Sequence, residues 1–210
     1  MQFFLPFSVS LLLTLVITPV VARLARRFGF VDDPKHRYHP AHTHVGIIPR
    51  AGGAALFFGV VLSLLFFLPI TKQVWGVIFS ITLLTVVGLF DDKKDVNPYV
   101  RLCTNALAAL IVIGAGVGIP YVTNPFSGGV VQLDIWRIRF TIFGPHSIVV
   151  WADIIAFLWI MWTMNIVGWS AGVDGQMPGF VAISAFVLGL LSLRFSLTDP
   201  SQLSVTIIAF

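Results

Sequence analysis

Gly88-Leu89-Phe90-Asp91-Asp92-Lys93-Lys94-Asp95 closes a long apolar run in the middle of the chain. A run of that length is most simply a membrane-spanning helix. Its end carries two adjacent aspartates, Asp91 and Asp92, and a third, Asp95, follows three residues later. Carboxylates at a helix C-terminus face the negative end of the helix dipole, which disfavours them. Neighbouring carboxylates also repel each other. Stability alone would place Lys or Arg there, so Asp-Asp points to a cation partner. Mg²⁺ is the natural candidate, because it prefers hard oxygen ligands and bridges to substrate phosphates. The competing reading is a solvated polar loop after a helix.

Composition supports the membrane reading. Of 210 residues, 57% are hydrophobic and 10% charged, against roughly 25% charged in soluble domains. Every acid is Asp, with no Glu anywhere. The net charge of +4 suits lipid headgroups or phosphates, and the lack of a long basic run argues against nucleic acid. One cysteine, Cys103, excludes an internal disulfide. It lacks a positioned base in the sequence, so a buried packing role is expected. Met1–Val21 lacks a basic leader and reads as a retained helix.

With roughly 20 apolar residues needed per span, spans are expected near 3–23, 51–70, 73–90, 101–119, 148–166 and 178–195. A seventh begins near Leu203 and is cut by the chain end at Phe210. The expectation is an all-α polytopic integral membrane protein, about six complete transmembrane helices plus the start of a seventh. The expected organisation is a single membrane-embedded domain, 1–210, without its C-terminal part. Pro19 lies near the end of the first span, where a kink is tolerated. Asn97-Pro98 reads as a helix cap followed by Pro at the first helical position. Gly128-Gly129 precedes an alternating stretch, so a short extracytoplasmic β-hairpin is expected over 130–143. Its reading is a structural lid without chemistry. With the N-terminus outside, the loops 24–50, 91–101 and 167–177 share the cytoplasmic side. Nine of the thirteen Lys and Arg residues then fall on that side, which satisfies the positive-inside tendency.

Besides the aspartates, three constellations are candidates. Asn165-Ile-Val-Gly-Trp-Ser-Ala-Gly-Val-Asp174-Gly175 sets a polar Asn at a span end and an Asp between glycines. Glycines admit close approach of backbone to a ligand; the Asp suits a metal or a helix cap. Pro49-Arg50-Ala51-Gly52-Gly53 heads the second span. Arg beside two glycines at a helix N-terminus suits an anion; the alternative is a snorkelling Arg with small residues packing helices. His36, His39, His42 and His44 lie close together, but Pro40 and the basic neighbours favour phosphate contacts over a transition metal. Trp75, Trp136, Trp151 and Trp159 read as interfacial or lipid-facing aromatics.

These residues resemble a family. Asp91-Asp92-x-x-Asp95 followed by Arg101-Leu102, then Asn165…Gly172-Val173-Asp174-Gly175, is similar to the polyprenyl-phosphate N-acetylhexosamine-1-phosphate transferases. That superfamily, glycosyltransferase family 4, includes the phospho-N-acetylmuramoyl-pentapeptide transferases and the undecaprenyl-phosphate N-acetylglucosaminyl-1-phosphate transferases. Asp33-Pro34…Arg37…His39 and His44…Pro49-Arg50-x-Gly52-Gly53 resemble its first cytosolic loop. The first loop is longer than usual, so His39 and His44 compete for one family position. Gly168 and Ala171 stand where the family has Asn and Asp, and the family's later His- and Arg-rich loop would lie beyond Phe210.

The resemblance implies transfer of an N-acetylhexosamine 1-phosphate from a UDP-sugar to a polyprenyl (undecaprenyl) phosphate. UMP would be released, in cell-wall or surface-polysaccharide biosynthesis at the plasma membrane, with the site on the cytoplasmic face. By the same resemblance Asp174 and Asp92 bind Mg²⁺ (or Mn²⁺), and Asp91 orients or deprotonates the lipid phosphate or acts as nucleophile. Asn165 lies beside metal and nucleotide. Arg50, Gly52, Gly53 and one of His39 or His44 hold phosphates, and Asp95 orients substrate or Lys93 and Lys94. The implied partners are the UDP-N-acetylated sugar, polyprenyl phosphate, the bilayer and, as a homodimer, a second copy. The Pro49-Arg50-x-Gly-Gly form favours the N-acetylglucosamine branch. The rival readings are a non-catalytic truncated paralogue or membrane scaffold and, ranked below it, a transporter. A transporter calls for charges near mid-span, whereas these acids cluster at span ends.

Overall fold

The computed structural model describes residues 4–32, 46–124, 126, 129–141, 145–170 and 175–198. It is mostly helical. In chain order the elements are α1 (Phe4–Phe28), β1 (Val31–Asp32), β2 (Ile48–Pro49), α2 (Gly52–Phe67), α3 (Lys72–Lys94) and α4 (Pro98–Gly114). Four strands follow, β3 (Tyr121–Thr123), β4 (Val130–Gln132), β5 (Arg137–Thr141) and β6 (Pro145–Val149), then α5 (Val150–Trp169) and α6 (Gln176–Thr198).

Helices α1, α3 and α5 are long and apolar enough to cross a membrane. Three more apolar helical stretches, α2, α4 and Gln176–Leu191, are shorter. At 16 residues, α2 measures about 24 Å at the α-helical rise. The six expected spans therefore correspond to six helices of unequal length. Two boundaries move for identifiable reasons. The third helix continues to Lys94, so Asp91 and Asp92 are its last turn rather than part of a loop. The fourth stops at Gly114 instead of 119, because the chain turns at Gly116 (φ 96°) and folds the amides of Gly116 and Val117 back onto Ile113 and Val112. The expected seventh span near Leu203 lies outside the described residues. Pro19 sits inside α1, as expected.

The chain forms two compact units. In the first, Met1–Pro69 with Ile81–Arg101 and Ala185–Phe210, α1 packs along α2. The buried stripe of α2 is Ala55, Gly59 and Ser63, spaced four residues apart and so on one face. A Cβ on Gly59 would lie 2.0 Å from Thr14 Oγ1 and 3.2 Å from the Ser10 carbonyl. Ser63 Oγ donates to the Pro6 carbonyl at 3.1 Å, and Ser10 Oγ to the Gly59 carbonyl at 3.4 Å. Small residues thus let two backbones approach, and hydroxyls tie them, which is how helices associate where lipid removes the hydrophobic drive. Gly29 (φ 76°) ends α1, with the Phe30 amide reaching back to the Ala25 carbonyl at 2.8 Å. A left-handed residue with this backward bond is a stop that Gly makes without strain.

In the second unit, Ile70–Ser80 with Leu102–Ser184, the buried residues are again mostly small. Ala108 and Ala109 of α4 are fully enclosed, and Ala152 and Ala156 line the buried side of α5. Two corrections belong here. The strands form two ladders rather than one hairpin over 130–143: β3 pairs antiparallel with β4, and β5 with β6. The alternating run was read correctly as extended, but its two halves pair outward with the flanking segments. Cys103, expected to be buried, is exposed on α4.

Gly59→Val should separate α1 from α2. The expected cost is about 1–3 kcal/mol of overpacking, read as a lower unfolding midpoint in detergent. Gly53→Ala, which meets no atom within 4 Å, should leave that midpoint in place.

Candidate active site

The site is built where three chain ends meet within the first unit. Gly29 delivers Phe30, whose carbonyl accepts the Arg50 amide at 2.9 Å. Between them, β1 and β2 pair antiparallel, Val31 with Pro49 and Asp32 with Ile48. This two-residue ladder closes the long first loop and fixes Arg50 at the head of α2. The Arg50 guanidinium then lies near the last turn of α3, with Nε 3.9 Å from Asp92 Oδ1. Both side chains are about one-third exposed, 34% for Arg50 and 32% for Asp92. The Lys93 ammonium sits 5.1 Å from the Phe30 ring centroid, a cation–π distance. Phe30 therefore touches both sides of the site, by its carbonyl and by its ring.

Asp91 faces different partners. Its Oδ1 accepts the Val96 amide at 2.8 Å, Arg101 Nε at 3.0 Å and Arg101 Nη2 at 2.7 Å. One carboxylate oxygen thus ties the end of α3 to the start of α4. Asp95 occupies the left-handed region (φ 48°) and its amide returns to the Asp91 carbonyl at 3.0 Å. It is the helix stop, a place where Asp is tolerated better than most residues. Asn97 Oδ1 accepts the Tyr99 amide at 2.9 Å, so the expected cap with Pro98 after it is present. The α3–α4 connection is short because each of its polar residues closes a backbone turn.

The head of α2 is open. Ala51 is the N-cap, with φ 150° and no side-chain cap bond. Gly52 and Gly53 follow, and among the described residues a Cβ on either would meet nothing within 4 Å. Among the described residues, no helix packs against these two glycines. What remains is a helix N-terminus with positive dipole, unobstructed backbone and Arg50 beside it, a combination suited to an anion.

Of the expected site residues, Arg50, Gly52, Gly53, Asp91, Asp92 and Asp95 all fall in this unit. Asn165 belongs to the second unit, on α5, where its Nδ2 donates to the Met161 carbonyl at 2.7 Å. His39, His44 and Asp174 lie outside the described residues, as do Asp33, His36, Arg37 and His42. Phe30 and the β1–β2 ladder escaped the sequence reading, because two-residue strands have no readable alternation. Arg101 entered the sequence reading as part of the family motif, without a role; nothing in the sequence reveals that it closes on Asp91 ten positions earlier.

The glycosyl transferase family 4 model matches residues 74–210. The chain belongs to that family. It is 28% identical over 97% of its length to a probable undecaprenyl-phosphate N-acetylglucosaminyl 1-phosphate transferase of Bacillus subtilis, covering 52% of that protein. It is 34% identical over half its length to an undecaprenyl-phosphate alpha-N-acetylglucosaminyl 1-phosphate transferase of Pasteurella multocida, covering 31%. A phospho-N-acetylmuramoyl-pentapeptide-transferase of Chlamydia pneumoniae is 24% identical over 92% of the chain and 58% of its own. The chain spans about half the length of the first of these relatives. No solved structure matches it.

Asp91→Asn should keep the Val96 bond and lose the charge pairing with Arg101, which is half-exposed. The expected cost is about 0.2–1 kcal/mol. Asp91→Ala loses both and should cost about 1–3 kcal/mol. Thermal unfolding of the two variants in detergent checks the order.

Proposed function

We propose that this family member transfers N-acetylglucosamine 1-phosphate from its UDP donor to a polyprenyl phosphate on the cytoplasmic face of the plasma membrane. The observation that carries this is the placement of Arg50 and the open α2 N-terminus beside Asp92. Anion-binding groups and carboxylates standing together suit a reaction between two phosphate esters. The names of the relatives support the same donor and acceptor classes.

In that reaction an oxygen of the lipid phosphate attacks the sugar-bearing phosphorus. A new P–O bond forms, the bond to the UMP phosphate breaks, and UMP leaves with its electron pair. Arg50 and the α2 amides hold phosphate oxygens during this exchange. They act as a fixed positive environment, which needs no reorganisation as charge develops. Lys93, held against Phe30, adds charge of the same sign. Asp91, bound to Arg101 and Val96, keeps the end of α3 in shape, so that Asp92 is presented consistently.

The donor chemistry suits Mg²⁺. Asp92 offers hard oxygens with Arg50 at 3.9 Å, beyond hydrogen-bond length. Among the described residues no group of three or more His, Cys, Asp or Glu stands together. Mg²⁺ does not need one, since it takes one or two carboxylates and fills its remaining positions with water and phosphate. Asp92 would hold the ion, which would screen the two polyanions from each other; Asp174, its second ligand by resemblance, lies outside the described residues. The transporter reading is not favoured: Asp153 lies in the first turn of α5, where its Oδ2 accepts the Val149 amide at 2.9 Å.

The test is UMP release by the chain in nanodiscs supplied with polyprenyl phosphate, Mg²⁺ and a UDP-sugar. Release with UDP-N-acetylglucosamine, and none with UDP-N-acetylmuramoyl-pentapeptide, is expected. Asp92→Asn and Arg50→Ala should each lower turnover by about 10²-fold, and chelation by EDTA should abolish it reversibly. Full turnover in Asp92→Asn, or turnover unaffected by EDTA, would overturn the assignment.

A further inference from the structure

The segment between α4 and α5 carries a surface that the transfer reaction does not use. Its two ladders are two-stranded, and such ladders are marginal alone in water. They nevertheless turn apolar pairs outward. Val122 faces Val131 across the first ladder and Ile138 faces Ile148 across the second, and all four are exposed. Between the ladders, Ile135 is 77% and Trp136 65% exposed. Exposed apolar side chains gathered on one segment in this way point to a contact site.

Hydrogen bonds set the level of this surface along α5. The Val150 amide, the first of α5, donates to the Trp136 carbonyl at 3.0 Å. The Ile119 amide reaches the Ala152 carbonyl at 3.4 Å. Helix α5 is long and apolar enough to cross a membrane, and its outward residues Trp151, Ile154 and Leu158 are exposed. A residue bonded to the first amide of such a helix lies at the membrane boundary. The charges fit that level. Arg137 pairs with Asp134, its Nε 3.2 Å from Oδ1, and the segment 120–149 holds Arg137 and Arg139 against the single acid Asp134. A cationic excess complements lipid phosphates, and exposed Trp beside Arg is the composition of a membrane interface.

We propose that the two ladders are a lipid-contact surface, seated in the headgroup layer around the N-terminus of α5, with Ile135 and Trp136 inserted. The occupant is the bilayer itself. The ladders then anchor the level of α5 rather than stand in water as a lid.

The test places an environment-sensitive fluorophore on Ile135→Cys in a Cys103→Ser background, with Ile138→Cys as a second site. The chain is reconstituted in vesicles of phosphatidylcholine and phosphatidylglycerol. A nitroxide near the top of the lipid acyl chain should quench both probes at least about twofold more than an aqueous iodide quencher does. Preferential quenching by iodide would overturn the proposal. Protection from both quenchers would also overturn it: if lost on dilution into excess lipid, a second copy covers the surface, and if retained, the chain's own residues do. Because the readout needs no turnover, its outcome is separate from that of the transferase assay.

Discussion

Lipid removes the force that usually assembles helices, and the packing follows from that constraint. An apolar side chain gains little by leaving lipid for protein. Large side chains therefore stay outside and small ones mediate contact. The buried apolar residues are mostly alanines, whereas Leu, Val, Phe and Ile make up most of the exposed large apolar residues. Between α1 and α2 the outcome is a stripe of Ala55, Gly59 and Ser63 against Ser10 and Thr14, with hydroxyls bonded to carbonyls of the facing helix. Gly59 is the tightest point. Its missing Cβ allows a backbone approach that dispersion and hydroxyl bonds can stabilise.

That close pairing brings polar chain ends to one place. Once α1 stops at Gly29, Phe30 is available to the returning chain, and its carbonyl captures Arg50. The same approach sets Arg50 against α3, so a positive helix start stands beside a negative helix end. Either charge cluster alone would be unfavourable near a low-dielectric layer. Together they offset each other in part, with Arg50 Nε 3.9 Å from Asp92 Oδ1. The division of labour between the two aspartates is also geometric. Asp91 is held by three donors and Asp92 looks toward Arg50, although the two are adjacent in sequence. Residues one apart on a helix point about 100° apart, which is why neighbours can serve different purposes.

Much of this was readable before any coordinates. The apolar runs located six helices to within a few residues, and Asn97-Pro98 announced its cap. Misreadings had physical sources. The length of the third helix was underestimated because charged residues were taken to end it, whereas Lys93 and Lys94 suit the C-terminal dipole and prolong it. The outer strands were recognised by alternation, but alternation does not say which strand pairs with which. Cys103 was judged by residue type, and type does not determine which helix face meets lipid.

The sequence by itself determined the membrane class, the helical segments, the charged helix ends and the family, because these depend on local composition and on order along the chain. Tertiary structure alone decided that Phe30 holds Arg50, that Arg101 closes on Asp91, and that Gly52 and Gly53 meet no neighbour among the described residues. Those facts join residues many positions apart through single hydrogen bonds or through the absence of a neighbour. Neither leaves a periodic mark in a sequence, so the partners became visible only when α1 and α2 had packed and the chain ends had met.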